Sequence, residues 1–302
     1  MNSIAVNIRR KSGTLKTTFK MLSPIALVAI AAGLQMAGAL LFFKTAPDPF
    51  LIAGYVFITF GVYLFNRFTD CEDGFNCPEQ RHFFQEQSRL ILIPILVLSI
   101  SILVLSATGR LSFWHIVLIV AGMFYSLRLI PHWRLGSIHF IRMKDIFFVK
   151  NLSVSILWSI TPFAIAASQP ASVIPVNADL IVIVLAFSIT TLINTTTCDV
   201  RDIAGDRHVG VTTVATKLGK KRTGQYLFGL GLFVSIAVGT AFTARIISRP
   251  ASILFVVTMT WTAFVSLPIY IKELRIPRNL AELLIDTQAI VCGVGLITLT
   301  LV

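Results

Sequence analysis

Apolar residues along this chain come in long continuous runs, with polar residues confined to the gaps between them. Nine runs stand out: residues 23–43, 49–65, 90–107, 111–127, 146–167, 180–197, 226–244, 251–271 and 283–302. A membrane-spanning helix needs about 20 mostly apolar residues, with a range of about 17–25. Inside lipid only a helix or a closed barrel satisfies its own backbone. Barrel strands alternate apolar and polar positions, and these runs do not, so each run is predicted to be a helix. The pattern predicts an all-α polytopic membrane protein with nine transmembrane helices. Residues 1–22 form a basic N-terminal tail and residues 23–302 one membrane domain, without a Gly/Ser linker or a soluble domain. The first apolar run is too long for the core of a cleavable signal peptide.

Composition agrees. Of 302 residues, 55% are hydrophobic and 13% are charged, against about 25% charged in soluble domains. An ordinary globule, a disordered chain and a disulfide-stapled secreted domain are excluded. The net charge of +12 would point to nucleic acid only if the basic residues shared a soluble surface. They sit in short connections instead, so no nucleic-acid partner is expected. If the N-terminus is cytosolic, 22 of the 26 Lys and Arg residues fall on the cytosolic side; Lys44, Arg110, Arg245 and Arg249 are the exceptions. The positive-inside rule then predicts a cytosolic N-terminus and a C-terminus on the opposite side. The long connections 66–89, 128–145 and 198–225 all fall on the cytosolic side, where the chemistry is expected. Cys71, Cys77, Cys198 and Cys292 make no CxxC pair, and neither a metal nor a nucleophile role is read from them.

Six of the fourteen acidic residues cluster in two short stretches. One is Asn66-Arg-Phe-Thr-Asp70-Cys-Glu72-Asp73-Gly-Phe-Asn76, after the second run. The other is Asp199-Val-Arg-Asp202-Ile-Ala-Gly-Asp206-Arg207-His208, after the sixth. Asn66, Asp70 and Asp73 are spaced i, i+4, i+7, and Asp199, Asp202 and Asp206 are spaced i, i+3, i+7. Each trio lines one face of a helix continuing out of the membrane. Like charges so arranged repel, and a divalent cation is the simplest remedy. Magnesium usually binds through one or two carboxylates plus the phosphate oxygens of a substrate. With Arg67, Lys144, Lys150 and Arg207 near, the two patches suit a metal–diphosphate group.

The second stretch, Asp199-x-x-Asp202-x-x-Gly205-Asp206-Arg207-x-x-Gly210-x-x-Thr213 followed by Lys217-Leu-Gly219, closely resembles the Asp-rich motif of the UbiA superfamily of intramembrane prenyltransferases. The first stretch resembles that family's other Asp motif, with Arg67 where an Asp is usual and Asp73 or Glu72 as the last acid. Tyr125-Ser126 and Lys144-Asp145 are also similar to family positions. The resemblance covers nearly the whole chain and implies helices packed around a central cavity. It implies transfer of an isoprenyl chain from an isoprenyl diphosphate to a small acceptor, commonly an aromatic quinone precursor, with Mg²⁺ as cofactor. Asn66, Asp70, Asp73, Asp199, Asp202 and Asp206 would hold the metal; Arg67, Lys144, Lys150 and Arg207 would hold the diphosphate. Asp70, Asp73, Asp199, Asp202 and Lys150 would then be the catalytic set.

Several residues carry two readings. Lys150 either snorkels to the interface or meets phosphate. Asn194 either bridges helices or lines the site. His208 is read as a solvated loop residue, His115 as a structural hydrogen bonder, and Asp286 as a residue near the start of the last helix. Arg9 to Lys20 are read as contacts to anionic lipid. A terpene cyclase of the same superfamily would use the same ionisation. A cation-coupled transporter would need its acids at the membrane midplane on broken helices, and a non-catalytic membrane protein would not need them at all.

Overall fold

In the computed structural model, residues 2–69, 88–134, 136–173, 177–270 and 277–301 are described. Their helices follow the predicted runs: α1 (Asn2–Phe42), α2 (Pro49–Thr69), α3 (Leu92–Ala107), α4 (Phe113–Ser126), α5 (Val149–Ala167), α6 (Ala178–Val209), α7 (Val214–Thr243), α8 (Arg249–Tyr270) and α9 (Arg278–Leu301). Local chemistry starts several of them. Asp48 accepts hydrogen bonds from the Phe50 and Leu51 amides at 2.9 and 3.2 Å, ahead of Pro49 in the first turn of α2. Asn177 caps α6 through the Leu180 amide at 3.2 Å. Thr213 caps α7 through the Thr216 amide at 3.1 Å. Among the described residues seven helices are long and apolar enough to cross a membrane, and α4 is apolar but only 14 residues long. The protein is an all-α polytopic membrane protein.

Of the long connections, one extends the sequence reading and another differs from it. The stretch 198–225 is almost entirely helical, because α6 continues to Val209 and α7 begins at Val214. Gly210, with φ of 81°, ends α6, and Gly219, with φ of 74°, breaks α7 after its first turns; both conformations favour glycine. The stretch 128–145 carries an antiparallel hairpin, β1 (Ile130–Arg134) and β2 (Ser137–Ile141). Gly136, with φ of 80°, makes its turn, and alternating large and polar residues suit a strand better than a helix.

Helices α1, α2, α4, α5, α6 and α9 form a closed ring, each packed on the next. Helix α3 lies outside α2, while α7 and α8 lie outside α6. The ring is sealed at one end by aromatic packing. Phe43, Phe163 and Phe187 are buried, with ring centroids 6.2 Å apart for Phe43–Phe163 and 5.7 Å for Phe163–Phe187. The outer wall is apolar and exposed, as lipid-facing surface should be; Phe228 and Phe233 on α7 are examples.

Glycines allow the ring to close tightly. A β-carbon at Gly293 of α9 would sit 2.7 Å from Leu34 Cβ and 3.0 Å from the Gln35 amide nitrogen of α1. Close approach at small residues is a principal source of helix association in lipid. Gly293→Ala is therefore expected to destabilise the protein by about 1–3 kcal/mol, read as a lower thermal unfolding midpoint in detergent. Gly229→Ala on α7, where a β-carbon meets open space, should leave the midpoint unchanged or raise it.

Candidate active site

The ring encloses a cavity of about 310 Å³ that extends from Tyr55 to Arg67 along α2, about 18 Å at 1.5 Å per residue. Helical periodicity explains its lining. Tyr55, Thr59, Val62, Tyr63, Asn66 and Arg67 form one stripe of α2, and Thr191, Asn194, Thr195, Cys198, Asp199 and Asp202 one stripe of α6. Leu118, Gly122 and Tyr125 come from α4, and Lys150, Asn151, Val154, Leu157 and Trp158 from α5. Ile285, Asp286 and Ala289 come from α9. At one end of the ring the C-terminal ends of α2, α4 and α6 meet the N-terminal ends of α5 and α9. Charged residues gather at that end, and apolar residues line the depth.

The best-held charge is Asp199, which is fully buried. Lys150 Nζ donates to its Oδ1 at 2.6 Å, and Asn151 Nδ2 to its Oδ2 at 2.7 Å. The Asn151 amide also donates to Thr196 Oγ1 at 3.2 Å. Both residues line the cavity, and with side-chain exposures of 25% for Lys150 and 2% for Asp199 the lysine is the more accessible of the pair. One turn further along α6, Arg201 grips Asp202 with two donors at 3.0 and 2.6 Å. Phe148, with φ of 66°, precedes α5, and this sharp backbone turn places Lys150 and Asn151 in the first turn of α5, facing α6. Below the charges, Tyr63 and Trp158 meet edge to face at 5.8 Å, giving the cavity an aromatic waist. Asn194 donates to the Ile285 carbonyl at 3.0 Å; it bridges helices and lines the cavity at once.

Of the residues chosen from sequence, Asn66, Arg67, Lys150, Asn194, Asp199 and Asp202 share this cavity. Asp206 is buried beyond its lining, and Lys144 is buried at the base of the hairpin. Arg207 is exposed, and its guanidinium donates to the Thr216 carbonyl at 3.2 Å. Asp70 and Asp73, like Cys71 and Cys77, lie outside the described residues. Near Lys144, Arg142 holds Asp145 at 2.6 Å. Burial raises the Asp145 carboxyl, but the Arg142 hydrogen bonds outweigh it and hold the group below the usual carboxylate range. Tyr63, Asn151, Arg201 and Asp286 also line the site and were not chosen from sequence. Asn151 could have been found: an amide beside a lysine in an otherwise apolar run is costly in lipid and so marks a site.

Comparison with known proteins bears on this arrangement. The family model described as VviA prenyltransferase matches residues 85–283. The chain belongs to the VviA prenyltransferase family. No curated protein matches the sequence. Among solved structures, a UbiA homologue from Archaeoglobus fulgidus bound to GPP and Mg²⁺ superposes with a TM-score of 0.64 at 15% identity, covering 95% of this chain and 100% of that one. An apo UbiA homologue from Aeropyrum pernix K1 gives 0.60 at 13% identity, covering 92% and 98%. A digeranylgeranylglyceryl phosphate synthase gives 0.52 at 15% identity, covering 94% and 99%. The fold of this prenyltransferase is thus UbiA-like, in agreement with the resemblance read from its acidic stretches.

In the prenyltransferase, the Lys150–Asp199 pair is costly to break from one side. Removing one partner of a buried pair leaves an uncompensated charge worth about 3–5 kcal/mol. Lys150→Met is expected to lower the thermal midpoint in detergent sharply. Lys150→Met combined with Asp199→Asn should recover most of the loss, which a double-mutant cycle will measure.

Proposed function

We propose that the prenyltransferase moves an isoprenyl group from an isoprenyl diphosphate to a small acceptor, through Mg²⁺-assisted ionisation of the donor at the polar end of the cavity. The observation that carries this reading is the segregation of the cavity itself: fixed charges at the mouth, and apolar and aromatic walls below. A diphosphate ester with a hydrocarbon tail has the same division. Its tail would lie past Tyr63 and Trp158 toward Tyr55, among Val62, Leu118, Val154 and Leu157. A volume of about 310 Å³ is near the lower end of ligand pockets, about 300–1,000 Å³, which favours a short donor.

The donor atoms fit a metal shared with a diphosphate. They are hard oxygens, from Asn66, Asp199 and Asp202, of the kind magnesium prefers. Asn66 Oδ1 is buried without a hydrogen-bond partner, an acceptor with open capacity beside the cavity. Among the described residues no three Asp, Glu, His or Cys side chains could together hold a metal ion. Asp70 and Asp73 lie outside those residues, and substrate phosphate would supply further oxygens. Asp70, Asp73 and Asp206 are assigned to the same metal group by their place in the two acidic stretches. A bound Mg²⁺ would supply Lewis-acid neutralisation of the leaving diphosphate.

The chain's own residues do the rest. Lys150, Arg67 and Arg201 place fixed positive charge where the leaving group becomes more negative. Lys144 and Arg207 are the further diphosphate cations proposed from sequence. As the carbon–oxygen bond of the donor breaks, the electron pair leaves with the diphosphate. The allylic carbocation remains in the cavity, whose wall includes Tyr63 and Trp158, aromatic rings whose faces attract a cation. The apolar walls keep water from the cation until the acceptor attacks. The acceptor gains the prenyl group and loses a proton.

The same reading has the N-terminus and the cavity mouth on the cytosolic side and the C-terminus opposite, and the charge asymmetry of the connections supports it. A superfamily cyclase would use the same site, with the donor's own double bond as nucleophile.

Purified enzyme given geranyl diphosphate and Mg²⁺, with and without membrane extract as acceptor source, is expected to release pyrophosphate. Asp202→Ala should lower that rate by about 10²–10³-fold, as for loss of one transition-state contact. A prenylated product that needs acceptor supports transfer. A cyclic hydrocarbon or alcohol without acceptor would replace transfer with cyclisation, and no release under any condition would overturn the reading.

A further inference from the structure

The β1–β2 hairpin between α4 and α5 is amphipathic in a way the catalytic reading does not use. Its register pairs Pro131 with Phe140 and Trp133 with Ile138. Side chains alternate across a strand, so Pro131, Trp133, Ile138 and Phe140 share one face. His132, Ser137 and His139 share the other, where Ser137 Oγ and His139 Nε2 lie 2.7 Å apart. The apolar face is open: Trp133 is 69% exposed, Ile138 58% and Phe140 57%. A lone two-stranded hairpin is marginally stable in water, and so large an apolar cluster marks a contact surface.

We propose that this face rests in the headgroup–acyl boundary of the bilayer, on the side where the cavity opens. Three observations favour lipid over other occupants. The hairpin is tied to the membrane at both ends: β1 begins four residues after α4, and α5 begins eight residues after β2. Exposed apolar side chains flank the hairpin on the adjoining segments: Phe124 and Leu129 before β1, and Leu152 and Ile156 after β2. Exposed Arg128 stands at the hairpin base, where a cation meets lipid phosphate. An indole ring with a polar edge belongs at that boundary.

The hairpin thus anchors the α4–α5 connection, which carries Arg142, Lys144 and Asp145, flat against the membrane beside the mouth. The test uses full-length protein in nanodiscs holding one copy each. The Trp133 emission is isolated by subtracting the spectrum of Trp133→Phe, a variant that keeps the apolar face. In discs containing brominated phospholipid, this component should be quenched. Quenching should be about twofold stronger with bromines near the headgroup than near the bilayer centre, because an interfacial element sits about 5–10 Å into the boundary. Aqueous iodide should quench it weakly. Strong iodide quenching without bromine quenching would overturn the proposal by placing the hairpin in water. A blue-shifted component quenched by neither would overturn it by placing the hairpin against protein, either over the cavity mouth or against another part of the chain.

Discussion

Everything at the mouth of the cavity depends on one buried carboxylate. Asp199 lies inside a helix bundle in a membrane, where an unpaired charge is costly. It is held by the ammonium of Lys150 and the amide of Asn151, consecutive residues at the start of α5. Such pairs are poor evidence of stabilisation, because two desolvated ions regain little more than they lose. What they provide is position. The pair locks the beginning of α5 to α6, and it keeps a lysine charge beside the cavity before any ligand arrives. A pre-placed cation needs no reorganisation as charge develops on a leaving group, and this is the usual origin of large electrostatic effects in catalysis.

The helix ring gives that charge a setting. The ring brings helix ends of both senses to one face, so polar residues at C-termini (Asn66, Asp199, Asp202) meet polar residues near N-termini (Lys150, Asn151, Asp286). The far end is closed by Phe43, Phe163 and Phe187. The result is a cavity polar at one end and apolar at the other. The tight seams that keep it closed are made by glycines, of which Gly293 against α1 is the clearest case.

Much of this was legible in the sequence, for reasons that differ by element. The helices could be read because lipid imposes a length and tolerates no exposed backbone. Asn66, Lys150, Asp199 and Asp202 could be read because polar residues at membrane helix ends have few ordinary explanations. The continuation of α6 through Asp199, Asp202 and Asp206 was legible in their i, i+3, i+7 spacing, whereas the early start of α7 at Val214 was hidden, since hydropathy reports the lipid-facing stretch of a helix and not its extension into water. The hairpin was hidden because two five-residue strands leave too short an alternation to separate from a polar loop. Asp286 and Arg201 were hidden for a third reason. Their role comes from which helix lies opposite, and nothing local to α9 or α6 states that. Tyr63 and Trp158 likewise look like ordinary lipid-phase aromatics until α2 and α5 are packed together.

The central claim is that charges at the mouth hold a diphosphate while the deep cavity holds its hydrocarbon tail. The most direct measurement is an experimental density map of the protein with Mg²⁺ and a slowly reacting geranyl thiodiphosphate. The account predicts the diphosphate within hydrogen-bond reach of Lys150, metal density between it and the Asn66, Asp199 and Asp202 oxygens, and the tail passing Trp158 toward Tyr55. A diphosphate bound away from Lys150 and Asp199, or a tail lying outside the six-helix ring, would contradict it.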